Sequence, residues 1–181
     1  MADDLLDKIR PEVVDRWGDP AKHPETTMTA AAIAELLATA GELYLSHHTS
    51  DDFPMVTVHF FCVLDGVVWT TTVRGRAKEK AFRRDPRTCL CVSNGDLTMS
   101  KTAGVAIKAR AQLVEDRDAV RRVCQAQVEK YFPGDRKRQQ TFMAALDTPN
   151  RVAVRFEPIK VISWDLRRSM RRQPGAPAAQ G

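Results

Sequence analysis

The dipeptide Asp65-Gly66 sits between two runs of strand-forming residues, MVTVHFFCVL before it and VVWTTTV after it. An Asp-Gly loop of two residues tolerates positive φ and matches the twist of its flanking strands, so it specifies a type I′ β-hairpin. A loop that short also fixes the register: Leu64 faces Val67, Val63 faces Val68, Phe61 faces Thr70 and His59 faces Thr72. Cross-strand partners share a face of the sheet. One face of the predicted hairpin therefore carries an imidazole, an aromatic ring and two hydroxyls, suited to wall a planar, partly polar ligand. The other carries Val58, Phe60, Cys62 and Leu64 against Val73, Thr71, Trp69 and Val67, and reads as plain hydrocarbon.

The rest of the chain alternates strands with short helical segments. Thr29 caps a helix through AAAIAELLATAG, with Ile33, Leu36, Leu37 and Ala40 at helical spacing and Gly41 as its stop. A short strand is expected around Tyr44, a single long strand over 55–64, and the returning strand over 67–73. Then come a helix at 77–84, strands at 88–93 and 105–113, a helix at 118–132 capped by Asp118, and another at 136–146. Two final strands, 151–157 and 161–166, are separated by a turn at Pro158. Strands joined by hairpins and brief helical excursions, without regular βαβ crossovers, predict a mainly β fold: a six- to seven-stranded antiparallel barrel with peripheral helices. The chain of 181 residues suits one core, with an N-terminal extension over 1–28, the barrel domain over 29–166 and a flexible basic tail over 167–181.

Composition narrows the functional classes. The acidic N-terminus has no basic start or apolar run of a secretory signal, and no apolar stretch could span a bilayer, so a cytoplasmic protein without membrane contact is expected. Cys62, Cys89, Cys91 and Cys124 lack Cys-x-x-Cys spacing and read as reduced thiols. The adjacent His47 and His48 project to opposite faces of a strand, so no metal site is expected. Net charge is +5, and the segment 74–87 alone holds seven basic residues against two acids. Four of them, Arg74, Arg76, Lys78 and Lys80, crowd the start of the predicted helix at 77–84. There the helix macrodipole is positive and cations are mildly unfavourable, a conflict that a bound anion would relieve. Nucleic acid is a weaker candidate for that anion, because no basic strand is interleaved with aromatic residues.

The order of these segments resembles a known family. The Asp65-Gly66 hairpin, TTTVRGRAKEKAFRRDPRTCLCV, GVAIKARAQLVED and RVAVRFEPIKVISWDL are similar to the pyridoxamine-phosphate-oxidase-like split β-barrels, which bind FMN or the deazaflavin F420. The resemblance implies that a cofactor phosphate is held by Thr72, Arg76 and Lys78, spaced Thr-x-x-x-Arg-x-Lys, and that two chains form a homodimer with cofactor sites at the interface. Arg-Arg-Asp-Pro-Arg at 83–87 and Ser-Trp-Asp at 163–165 look like an actinobacterial F420-using branch. No histidine follows His59, so the family's C-terminal Arg and His substrate segment is absent and pyridoxamine phosphate is not the expected substrate. The expected cofactor-binding residues are His59, Phe61, Thr70, Thr71, Thr72, Arg76, Lys78 and Lys80, and His59 is the candidate to hydrogen-bond the ring edge or donate a proton. F420 is favoured over FMN because Lys80, Arg83, Arg84 and Arg87 would extend the entrance to suit a longer anion. The expected activity is hydride transfer between the deazaflavin and a small conjugated organic substrate; a non-catalytic flavin or tetrapyrrole carrier is the alternative.

Overall fold

Asp65 and Gly66 take φ of 50° and 72°, the left-handed conformation that this turn requires. The computed structural model of the protein describes residues 26–96, 98 and 101–170. In chain order the elements are α1 (Ala30–Thr39), β1 (Leu43–His48), β2 (Pro54–His59), β3 (Cys62–Leu64), β4 (Val67–Val73), α2 (Ala77–Arg84), β5 (Arg87–Ser93), β6 (Ala103–Val114), α3 (Arg117–Tyr131), α4 (Arg136–Leu146), β7 (Arg151–Asp165) and α5 (Leu166–Met170). The predicted extension up to residue 25 and the tail beyond Met170 lie outside the described residues. Thr29 caps α1 as expected, its side chain accepting from the Ala32 N–H. Met28, just before the predicted boundary, is buried with the core and donates its N–H to Ser163 Oγ.

All seven strands form one antiparallel sheet in the order β2-β1-β5-β6-β7-β4-β3. Its two edge strands, β2 and β3, are consecutive in the chain and joined only by Phe60 and Phe61. Laid flat, seven strands would hold their edges about 29 Å apart at ~4.8 Å per step, whereas the three Cα steps from His59 to Cys62 reach at most about 11 Å. The sheet must therefore curl into a barrel, and the seam between β2 and the β3–β4 hairpin is its split. Ile33 and Leu37 of α1 pack into the barrel with Leu43, Leu45, Phe61, Leu90 and Phe156. On the outside, Val120, Val123 and Cys124 of α3 cover Cys62 and Ala153.

Three expectations change. The predicted strand 55–64 is two strands, because the chain leaves one edge of the sheet at His59 and rejoins the other at Cys62; the hairpin ladder holds only for Cys62–Trp69, Val63–Val68 and Leu64–Val67. Its supposed hydrocarbon face divides accordingly: Cys62 is buried under α3, but Val58 and Phe60 are exposed. The two predicted C-terminal strands are one, β7, and Pro158 causes no turn. It pairs with Ala109 while Lys108 pairs with Lys160, leaving Ile159 as the extra residue of a bulge, a place where a strand tolerates a residue with no N–H. Finally, α3 is capped by Asp116, which accepts from the Ala119 N–H, and Asp118 falls inside its first turn.

Candidate functional site

The seam is where the hairpin reading and the basic segment meet. His59 and Thr72 are not ladder partners, since β2 pairs with β1 and β4 with β7. They nevertheless line the same open cleft, together with Thr57, Arg76, Lys78 and His47. Side chains 55, 57 and 59 point into this cleft of about 630 Å3, by the two-residue period of a strand. Thr72 borders it while itself buried. Arg76 is the N-cap of α2 and offers no side-chain cap, so the first-turn amides face the cleft side without a protein acceptor of that kind.

Lys78 is the electrostatic centre. Its Nζ lies 2.9 Å from His59 Nδ1 and 3.3 Å from Nε2, and among the described residues no carboxylate pairs with it. Burial, with a smaller contribution from Arg151, pulls its pKa down from 10.5 to about 8. An ammonium can only donate, so Nδ1 of His59 accepts and Nε2 carries the proton toward Thr57 Oγ1 at 2.7 Å. Burial, then Lys78 and His47, lowers the His59 pKa to about 4, so this ring is neutral at neutral pH. His47 is buried, its Nδ1 has no hydrogen-bond partner, and its pKa is lowered by burial, then by Lys78, Arg84 and His48. A desolvated cation without a counter-ion beside an orphaned ring nitrogen is costly by itself. An incoming phosphate oxygen would compensate the cation, so the residues present fit an anionic cofactor group.

Four of the remaining cations of the segment are committed elsewhere. Arg74 and Arg83 both bind Glu115, Arg83 also binds Glu79, and Arg87 binds Asp85 at 2.7 Å. Arg84 donates to the His48 carbonyl at 2.6 Å. Glu79 is buried, which alone would raise its pKa, but hydrogen bonds from Arg83 and the Gly75 N–H hold it below the usual value. Three of the four side chains expected to widen the entrance are thus held by protein partners. Lys80 is exposed and lies outside the cleft lining. The structure brings His59, Thr72, Arg76 and Lys78 together. Phe61 is fully buried in the core, under Lys130 Nζ at 3.3 Å from its ring centroid.

Thr70 and Thr71 border a second chamber of about 590 Å3, which shares His59 and Arg151 with the first and is walled by Phe60, Tyr131, Phe132 and Phe142. Thr70 Oγ1 donates to the Phe60 carbonyl at 2.6 Å and Gln127 Nε2 donates to the same oxygen at 3.2 Å. Arg151 donates to the carbonyls of Leu146 at 2.7 Å and Ala145 at 3.3 Å, at the last turn of α4. His47, Thr57, Arg151 and the α3–α4 aromatic residues were missed in the sequence reading. His47 had a legible signal, an inward strand position next to the hairpin edge; Arg151 had none, because it comes 73 residues after Lys78.

The two buried lysines give a pH signature. Lys130, desolvated by burial, also has its pKa lowered from 10.5 to about 8. Each lysine binds fewer protons folded than unfolded between about pH 8 and 10.5, so stability rises with pH in that window. The buried Cys62 thiol, pushed up from 9 to about 12 by burial, acts oppositely above pH 9. Between pH 8 and 9 Lys78 should therefore contribute about 1 kcal/mol of added stability, and the less buried Lys130 a smaller amount because solvent screens it. Urea unfolding of the ligand-free protein at both pH values checks this; Lys78→Met and Lys130→Met should each flatten the rise, and a flat wild-type profile refutes it.

Among the described residues no helix is long and apolar enough to cross a membrane, and no cluster of potential metal ligands is present. A family model described as pyridoxamine 5′-phosphate oxidase matches residues 29–165. Among solved structures, a conserved hypothetical protein from Mycobacterium tuberculosis superposes with a TM-score of 0.73 at 26% identity, covering 87% of this chain and 97% of that one. A haem storage protein from Vibrio cholerae gives a TM-score of 0.59 at 14% identity over 74% and 92% of the two chains. General stress protein 26 from Bacillus anthracis gives 0.53 at 16% over 78% and 94%. The last two likenesses are of fold alone. No curated protein sequence matches the chain. With the family match running from the α1 cap to the end of β7, the chain belongs to the pyridoxamine 5′-phosphate oxidase family of split β-barrels.

Proposed function

We propose that the protein is an oxidoreductase that holds the phosphate of F420, or alternatively FMN, in the seam of the barrel and transfers a hydride between that cofactor and a small conjugated organic molecule. The observation that carries this reading is Lys78, a desolvated ammonium with no carboxylate partner among the described residues, beside an uncapped helix N-terminus. In this reading Lys78 and Arg76 neutralise the phosphate and Thr72 offers it a hydroxyl. When bound, the flavin-type ring supplies the hydride chemistry. His59, neutral and oriented by Lys78 and Thr57, presents a polar edge along β2. Its low pKa argues for a hydrogen-bonding role rather than that of a proton donor at neutral pH. The aromatic chamber beyond His59 gives a conjugated substrate a water-poor place next to the cofactor. Lys80, exposed beside Arg76, offers the longer F420 anion one further cation.

A second copy of the chain fits the same scheme. Phe53, Met55, Val56, Val58 and Phe60 expose apolar surface on and beside edge strand β2, and a homodimer burying that strand would close the open side of the cleft.

Equilibrium titration of the purified protein with F420 and FMN in parallel tests the reading. Binding should weaken as pH rises above about 8, because the phosphate favours protonated Lys78 and uptake of that proton opposes binding once the free enzyme has lost it. Absence of binding by both cofactors, or an affinity independent of pH between 7 and 10, rejects it. Oxidation of reduced F420 by a panel of quinones and enones then separates enzyme from carrier.

A further inference from the structure

α4 has none of its eleven residues buried, although Phe142, Ala145 and Leu146 form one wall of the aromatic chamber. A helix of that length is marginal in water unless tertiary packing supports it, and here that support is partial: Met143 and Leu146 pack, half-buried, against the cluster of Val120, Val123 and Cys124, whereas Phe142 and Ala145 look onto the chamber's empty volume. Beside that packing, polar and aromatic contacts hold the helix. At the C-terminus, Asp147 binds Arg117 and Arg121, and Arg151 takes the last carbonyls. At the other end, Phe132 stacks on Phe142 at 4.3 Å and Gln139 donates to the Phe132 carbonyl at 2.8 Å. The arginines of these pairs are 44% and 64% exposed, which limits what each pair contributes although Asp147 itself is mostly covered. Just before the helix, Gly134 sits at φ 76°, a backbone state that glycine adopts without penalty.

We propose that α4 is a lid on this chamber, closing onto an aromatic or conjugated apolar guest that also carries one anionic or strongly accepting group, and that Phe142 sets the guest's size limit. The proposal rests on the reading of the chamber as the substrate's place. The guest's chemistry follows from what the lining has left to offer. Gln127 and Thr70 already donate to Phe60 and Tyr131 to Gly41, so neutral polar recognition is used up. Thr71 donates to Gln127 Oε1 at 3.5 Å and both His59 nitrogens are engaged by Thr57 and Lys78; Arg151 supplies the positive charge, and the remaining lining is rings and hydrocarbon. A guest of this kind would supply the packing that Phe142 and Ala145 lack, so its binding is thermodynamically coupled to the ordering of the helix.

Hydrogen exchange followed by mass spectrometry, with anilinonaphthalene sulfonate as an aromatic anion probe, tests this. In the free protein the amides of 135–147 should exchange at least about tenfold faster than those of α3. Saturating probe should slow them at least about fivefold and leave α3 unchanged. Phe142→Ala should abolish that protection with little effect on the thermal midpoint, since Phe142 is 43% exposed. No probe binding, equal protection of α4 and α3 without probe, or an α4 that does not respond to the probe overturns the lid. Parallel FMN and F420 titration keeps the two readings apart: cofactor binding without an α4 response rejects the lid alone, whereas an α4 response without cofactor binding rejects the cofactor reading alone.

Discussion

On the proposed reading, Lys78→Met should lower the affinity for F420 and FMN by about 100-fold or more, and at neutral pH it should stabilise the ligand-free protein. The two effects have opposite signs because the same ammonium serves both states. In the free protein it is desolvated, with a neutral imidazole as its hydrogen-bond partner and Arg151 nearby raising the cost of its charge. Removing a cation of that kind while keeping an apolar side chain of similar length relieves the cost. In the proposed complex it would face a phosphate. Removing one partner of a buried, hydrogen-bonded charge pair costs about 2–5 kcal/mol, and each ~1.4 kcal/mol is a factor of ten in the dissociation constant. Titration calorimetry and urea unfolding on the same preparation measure both. A variant that loses stability and keeps its affinity would place Lys78 in a structural role and remove the phosphate from the seam.

Gly104→Ala should destabilise the protein by about 3 kcal/mol, the upper end for overpacking. Gly104 pairs with Trp164 across β6 and β7, and the indole lies over the glycine so closely that an added Cβ would come within 2.2 Å of ring atom Cζ2 and 2.6 Å of Cε2. The ring is the obstacle, and moving it would disturb the end of β7, where Ser163 anchors Met28 and Asp165 binds Arg167 at 2.7 Å. A loss of that size lowers the midpoint of thermal unfolding by roughly 6–12 °C for a domain of this length. The double variant Gly104→Ala/Trp164→Leu should recover part of it, because the clash and its obstacle are then removed together. A midpoint within 1–2 °C of wild type in the single variant, against that expected shift, would show that the indole moves aside freely.

Local order along the chain was legible because its signals are local. Asp65-Gly66 demanded its turn, Thr29 its cap, and the alternation in 105–113 its strand; all three are present. The cleft was legible in part for a different reason: Thr72, Arg76 and Lys78 are close in sequence, and a hairpin leading into a helix leaves them little choice but to converge. What escaped the reading depends on closure of the sheet. Nothing in HFF announces that the chain crosses there from one edge of the barrel to the other, since Phe60 and Phe61 are as strand-compatible as their neighbours. Pro158 looked like a turn because a proline interrupts a ladder, yet a bulge absorbs it. The charges of 74–87 could be counted, but their assignment to Glu115, Glu79 and Asp85 depends on which acids the fold brings near. Ser-Trp-Asp at 163–165 and Asp85-Pro86-Arg87, noted in the sequence for their resemblance, have packing and pairing roles that only the fold displays.

The two-residue crossing at Phe60 and Phe61 also gives the seam a mechanical shape. It acts as the apex of a wedge: the flanking strands cannot part by more than about 11 Å there, and Thr70 and Gln127 fasten the Phe60 carbonyl. Toward Met55 and Arg76 no comparable tether joins β2 to the hairpin. The thickness of a molecule that can slide between them is therefore set by how far the β1–β2 pair bends about this fixed corner. Stiffness of two strands, as much as any contact made with the guest, governs admission.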